Sequence, residues 1–271
     1  MDGRELKELF KSTFNTVAEG YDSAAMRFFS QSAEQLPAFL DLNGNEQVLD
    51  VACGTGCASL ALAKKLPEGH VTGIDFSRGM LSQAERKKEA DDIRNVTFYE
   101  MDMQAIDFPD GHFDAAVSAF SIFFVKDMQS QLNHIAQKVK SGGKIIMTTF
   151  FENAFTPMID IFLGQLSEYG IEPPTLTWKR VASRAQCKSL FDDAGMQSVK
   201  SERMEFGFHL DGASQWWDIV WNGGFRGLID KLAPEDLNRF KEKHLQEIDR
   251  LTSNQGIWLE MNILYTMGAT F

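Results

Sequence analysis

The feature that most constrains this chain is the alternation, from Val48 to about Phe151, of short β-branched runs with longer stretches of helical periodicity. That pattern is the signature of a parallel sheet joined by crossover helices. Strands are predicted at Gln47 to Val51, His70 to Asp75, Val96 to Met101, Phe113 to Ser118 and Gly143 to Phe150. Helices are predicted near Cys57 to Leu66, Arg78 to Asp91 and Gln129 to Val139, the last closed by Ser141-Gly142-Gly143, where glycine supplies a left-handed cap. A length of 271 residues is near the top of what one hydrophobic core supports, so one large α/β domain is expected.

The flanks read as helical. Leu6, Leu9, Phe10, Phe14 and Val17 recur at helical spacing, and residues 1–45 are expected to form two or three helices covering one side of the sheet. After Phe151 the pattern predicts helices from Phe155 to Tyr169 and Arg184 to Ala194, then strands at Ser198 to Phe208 and Gly256 to Met267. The gap between those strands holds two helical stretches, Ala213 to Trp221 and Pro234 to Leu251. Residues 209–254 are therefore the natural candidate for a helical cap inserted between strands six and seven.

Chemistry concentrates where the first strand enters a tight turn, Asp50-Val51-Ala52-Cys53-Gly54-Thr55-Gly56, and then a helix. Glycines there let backbone approach a ligand, and the free N–H groups at a helix start favour a carboxylate or phosphate. Asp75 ends the second strand, where a carboxylate can accept both hydroxyls of a ribose, and Asp102 ends the third beside Met103. Three carboxylates at the carboxyl ends of neighbouring strands converge on the crevice where doubly wound sheets bind ligands.

A dinucleotide fits this arrangement poorly, because the third glycine position is Ser59 and Asp50 would sit close to a pyrophosphate. None of Tyr21, Tyr99, Tyr169 and Tyr265 is followed four places later by Lys, so the usual acid–base pair of an NAD-dependent oxidoreductase is also missing. S-adenosylmethionine, with its ammonium and sulfonium, suits an acid at the end of the first strand.

The sequence resembles the class I methyltransferases, and within them the small-molecule group related to the ubiquinone/menaquinone biosynthesis C-methyltransferases. The resemblance spans roughly Phe14 to Phe150. Phe14-Asn15-Thr16-Val17-Ala18-Glu19-Gly20-Tyr21-Asp22 is similar to that group's amino-terminal signature, which implies that Tyr21 lies over the methionine end of the cofactor. The glycine motif is matched with Ala52 and Cys53 standing where many members have Gly. Val71 to Ser77 resembles the ribose strand, with Phe76 beside Asp75 and Met80 near the adenine, and Asp102-Met103 the pair that meets the adenine amino group. Phe113 to Phe120 resembles the fourth strand, whose end, with Ser118, borders the transferred methyl, and Val139 to Lys144 the turn before the fifth.

The resemblance implies a Rossmann-like, doubly wound, seven-stranded sheet, mostly parallel with the last strand antiparallel, over residues 46–271. It also implies a cofactor site of Tyr21, Asp50, Ala52, Gly54, Gly56, Asp75, Phe76, Met80, Asp102, Met103 and Ser118. The acceptor is expected to be a small apolar or aromatic metabolite against Phe120, Phe124, Phe150, Trp217 and Trp221, the last two sharing a helix face by their i, i+4 spacing. Catalysis is expected from in-line positioning, and no catalytic residue is named, although His209 is the best-placed candidate base.

Composition excludes several partners. Lys+Arg 27 against Asp+Glu 38 gives 27 − 38 = −11, which disfavours nucleic acid and with it an RNA methyltransferase. No run of about 18 apolar residues and no basic-then-apolar leader is present, so a cytoplasmic protein without integral membrane association is expected. Cys53 and Cys57 lack a second pair or His cluster nearby and read as packing residues, not a metal pair. A noncatalytic S-adenosylmethionine-binding protein is the competing reading, disfavoured because the ribose and adenine residues are all present.

Overall fold

A computed structural model describes residues 3–172 and 176–271, and among these described residues seven strands form one sheet in the order β3-β2-β1-β4-β5-β9-β6. Strands β1 (Gln47–Val51), β2 (His70–Asp75), β3 (Val96–Glu100), β4 (Phe113–Ala119) and β5 (Val139–Phe150) run parallel. Strand β9 (Asn262–Ala269) is antiparallel to both β5 and β6 (Gln197–Glu205). The central strands are apolar on both faces: Val48, Leu49 and Val51 of β1 and Ile145, Ile146 and Met147 of β5 are all buried. Burial on both faces is what a parallel sheet covered by helices requires.

Three helices begin where a side chain satisfies one of their first free N–H groups. Ser77 accepts the Met80 N–H at 3.2 Å to start Arg78–Ala90. Asp127 accepts the Ser130 N–H at 3.0 Å to start Met128–Lys138, and a Ser183/Gln186 capping box starts Arg184–Asp193. The amino-terminal segment forms Gly3–Val17, Phe28–Ala33 and Leu36–Leu40.

Two expectations about strands need correction. The runs read as continuous, Ser198 to Phe208 and Gly256 to Met267, are each broken. Beyond the breaks, β7 (Phe208–Leu210) and β8 (Ile257–Leu259) leave the main sheet and pair with each other. A Cβ at Gly207 would lie 2.4 Å from the Trp258 ring, so the chain leaves the sheet where backbone and indole approach closest. Strand β5 also starts earlier than Gly143, its Val139 pairing with Phe113 across an irregularity that contains Gly142 at φ 76°.

Between β7 and β8 the chain forms Ala213–Asn222, Arg226–Ile229 and Pro234–Asp249. The last of these packs on Met158–Glu168 through a buried chain of hydrogen bonds. Trp216 Nε1–H donates to His244 Nε2 at 2.7 Å, and His244 Nδ1 meets Gln165 Oε1 at 2.6 Å.

Candidate active site

Strand β1 delivers the turn Ala52-Cys53-Gly54-Thr55-Gly56. Ala52, Gly54 and Gly56 take φ of 55°, 55° and 81°, left-handed values that glycine adopts freely and Ala52 only at a cost. Gly54 N–H donates to Asp75 Oδ2 at 2.9 Å, and Asp75 Oδ1 accepts the Ser77 N–H at 2.8 Å. One carboxylate thus joins the ends of two strands and keeps a free lone pair on each oxygen for a ligand. Burial pushes Asp75 up to about 6, against the lowering effect of these bonds.

A cavity of about 630 Å³ opens over this turn. Tyr21, Ala52, Gly54, Asp75, Phe76, Met80, Asp102 and Met103 line it, as do Cys53, Met101 and Thr148. Burial, followed by the charges of Cys57, Asp22 and Asp75, raises the Tyr21 phenol, which therefore stays protonated. Asp102 Oδ1 accepts the Gln104 N–H at 3.0 Å, and its other oxygen is engaged by the ammonium of Lys7 on the amino-terminal helix. Lys7, Phe10 and Phe29 are lining residues that the sequence reading missed, although helical spacing had put Leu6, Phe10 and Phe14 on one face.

Three expected cofactor residues lie behind the cavity wall. Asp50 precedes the turn by two residues, so its side chain still follows the pleat of β1 and points at the covering helix, where Ser59 Oγ donates to Oδ2 at 2.6 Å. Its Oδ1 is buried without a partner, and burial pushes the carboxyl up to about 7. Gly56 serves packing, since a Cβ there would meet Ala84 at 2.9 Å and Phe98 at 3.1 Å. Ser118 is buried against Ser121 at 2.7 Å, and it is Ser121 that reaches the cavity.

A second chamber of about 250 Å³ adjoins the first, sharing Leu6, Phe10, Phe14, Tyr21, Phe29, Phe120 and Phe124 as common wall. Its far side is built from Phe28, Phe123, Phe150, Phe155, Trp178, Ile219, Phe225 and Leu228. Of the expected acceptor residues, Phe120, Phe124 and Phe150 are there. Trp217 and Trp221 line neither cavity and are corrected to packing residues: their shared face stacks ring on ring at 6.2 Å and looks toward Phe240, while Arg226 covers Trp221 at 3.7 Å. The opposite side of that helix, at Ile219, meets the chamber. Trp178 was missed because it sits on a five-residue 3-10 turn, Thr177–Val181, too short to show periodicity.

The candidate base also moves. His209 lies on β7, 5.0 Å from the exposed Trp258 ring, and lines neither cavity. His134 Nε2 accepts the Ile106 N–H at 3.1 Å, a structural bond. Among the described residues of the second chamber the titratable groups are Tyr21 and Lys231.

Residues 48–143 match the family described as "Methyltransferase domain". The demethylmenaquinone methyltransferase of Listeria welshimeri serovar 6b is 37% identical over 215 residues, which is 72% of this chain and 90% of that protein. The chain belongs to the class I S-adenosylmethionine-dependent methyltransferases. Aklanonic acid methyltransferase DauC of Streptomyces sp. strain C5 is 28% identical over 169 residues, 59% of this chain and 77% of that protein. In fold, the chain is similar to phosphoethanolamine N-methyltransferase 2 of Haemonchus contortus, solved in complex with S-adenosyl-L-methionine. The TM-score is 0.55 at 14% identity, covering 94% of this chain and 57% of that one.

The larger cavity of this methyltransferase suits the cofactor. A Cβ at Gly54 would meet nothing within 4 Å, so the turn's backbone is open to a ligand, and Thr148 Oγ1 is a buried lining hydroxyl without a protein partner. No helix among the described residues is long and apolar enough to cross a membrane.

Proposed function

We propose that this methyltransferase acts on a small, apolar or aromatic metabolite held in the 250 Å³ chamber. The observation that carries the reading is the contiguity of the two cavities: a polar one framed by Asp75 and Asp102, and an aromatic one sharing Phe29, Phe120 and Phe124 with it. In this reading Asp75 accepts the ribose hydroxyls, Asp102 the adenine amino group, and Tyr21 covers the methionine end. When bound, S-adenosylmethionine supplies a methyl group on a positively charged sulfur. The chain's part is positional: Phe120 and Phe124 stand between the cavities, fix the acceptor's approach and exclude water.

Residues 1–45 serve as a cover, because Leu6, Phe10 and Phe14 close both cavities, and residues 209–254 as a cap that lends Ile219, Phe225 and Leu228 to the acceptor wall. The relative from Listeria acts, by its name, on a quinone, which agrees with an aromatic acceptor. The test is turnover: the protein with S-adenosylmethionine is offered naphthols, hydroquinones, phosphorylated amines and RNA, and S-adenosylhomocysteine is followed by mass spectrometry. Turnover confined to the phosphorylated amines or RNA overturns the reading.

A further inference from the structure

Among the described residues lining the second chamber, Trp178 carries a buried side-chain polar atom without a partner. Trp178 lines the chamber and is 5% exposed, and its indole N–H is buried with no hydrogen-bond partner. Elsewhere in the protein indoles find acceptors. Trp216 Nε1–H donates to His244 at 2.7 Å and Trp258 Nε1–H to Glu260 Oε2 at 2.9 Å. An indole N–H is a donor only, so Trp178 is satisfied by an acceptor atom from outside the chain, a water in the free protein or a ligand oxygen in the bound one.

The ring is held firmly enough to read such an atom. Phe150 packs edge-on against it at 5.7 Å and 70°, and the Lys179 ammonium lies over its face at 4.4 Å. The turn that carries it is riveted to the loop after β4, because Arg180 Nη2 donates to Phe123 O and Val125 O, both at 2.6 Å, and Nη1 donates to Lys126 O at 3.0 Å. That same loop carries Phe123 and Phe124, so donor and aromatic walls are positioned as one body. Trp178 lines the second chamber and not the first. A group bound to it orients the ligand and lies away from the methyl-bearing cavity.

We propose that Trp178 is a specificity-determining residue, its indole N–H donating to a neutral oxygen, a ring carbonyl or phenolic oxygen, on an otherwise hydrocarbon acceptor. The proposal rests on reading the second chamber as the acceptor site. An apolar wall carrying an unpartnered buried donor selects for oxygen by penalising ligands that leave the donor unpaired. A carboxylate is not selected: Lys231, the cation on the chamber's wall, is exposed, and Lys179, which covers the Trp178 ring, is outside the lining and donates to the Glu152 carbonyl.

The experiment compares two ligands of nearly equal shape, 1-tetralone and tetralin, with the full chain saturated with S-adenosylhomocysteine. Trp178→Phe is expected to weaken 1-tetralone by about 2- to 12-fold, the effect of one neutral hydrogen bond, and to leave tetralin unchanged. An independent readout needs no binding-competent variant. In ¹⁵N-labelled wild-type protein the Trp178 indole resonance, assigned by its loss in Trp178→Phe, shifts with 1-tetralone and not with tetralin. Equal loss of both ligands in the variant, or an indole resonance that responds alike to both, overturns the role of Trp178 and leaves the chamber as the acceptor site. Failure of both ligands to bind the wild-type protein overturns the acceptor-site reading itself and the proposal with it.

Discussion

His244 makes the stability of this protein depend on pH in a way that can be worked out from its contacts. It is fully buried between Trp216 and Gln165. The indole can only donate, so Nε2 must accept, and the single ring proton sits on Nδ1, donated to Gln165 Oε1. Protonating Nε2 would aim two hydrogens at each other in a cluster of Phe162, Phe240 and Trp217. Burial accordingly lowers the imidazole from 6.5 to about 4. The unfolded chain takes up this proton below pH 6.5 and the folded chain only near pH 4, so His244 costs stability as pH falls through that window. The full cost is about 3 kcal/mol, and about 2 kcal/mol of it is present at pH 5.

Asp50 and Asp75, raised to about 7 and about 6, act in the opposite direction over the same range, since their folded forms hold protons more tightly than the unfolded chain. Wild type alone therefore does not isolate His244; comparison with His244→Gln does. Urea unfolding followed by tryptophan fluorescence is expected to show the variant less stable at pH 7.5, with its deficit shrinking by about 2 kcal/mol at pH 5. A deficit that is the same at both pH values refutes the buried-neutral assignment.

Three further outcomes are expected. Asp75→Ala removes the acceptor shared by the glycine turn and the ligand hydroxyls, and calorimetry with S-adenosylhomocysteine should show a loss of about 1.5–3 kcal/mol in affinity; unchanged affinity would remove Asp75 from the site. Trp217→Ala should lower unfolding stability by roughly 3–5 kcal/mol, as for other buried large aromatics, while acceptor KM stays the same; a raised KM would return it to the acceptor wall. Deleting the residues before Gly20 should weaken S-adenosylhomocysteine binding while circular dichroism shows the sheet retained, and undiminished affinity would show that the amino-terminal helix is not part of the site.

The sheet was legible because its signal is redundant. Strands β1, β2 and β4 are short, mostly buried runs, as is the second half of β5, and the acids at and just past the ends of β2 and β3 mark the crevice. What the sequence did not disclose is direction. Asp50 and Asp75 both belong to strands entering turns, yet Asp75 is the last residue of its strand and faces the cavity, while Asp50 is one short of the end and faces Ser59. Likewise the i, i+4 spacing of Trp217 and Trp221 identifies a shared face and not the neighbour it meets, which is Phe240 and not the ligand chamber. The splitting of the sixth and seventh runs depends on Gly207 meeting Trp258 from fifty residues away, a contact that alternation along either run does not encode.

The amino-terminal helix ties the two cavities into one site. Polar contacts tie it to the ends of β2 and β3: Lys7 with Asp102, Lys11 with Glu100 at 3.3 Å, and Asn15 Oδ1 accepting from Ser77 Oγ and Gly79 N–H, both at 2.9 Å. The two ion pairs are partly solvated, and pairs of that kind contribute about 0–1 kcal/mol each. Docking of the helix therefore depends mainly on apolar contacts, Val17 with Ala18 and Met80 at its end and Leu6, Phe10 and Phe14 along it, and the last three are wall to both chambers. Phe10 and Phe14 each pack edge-on against Phe124, at 4.9 and 5.4 Å, a residue common to the walls of both cavities. Displacing the helix thus opens both chambers and frees the partition between them. With the cavities assigned as proposed, a change on the helix should alter cofactor and acceptor binding together, whereas a change at Trp178, which lines the second chamber alone, should separate them.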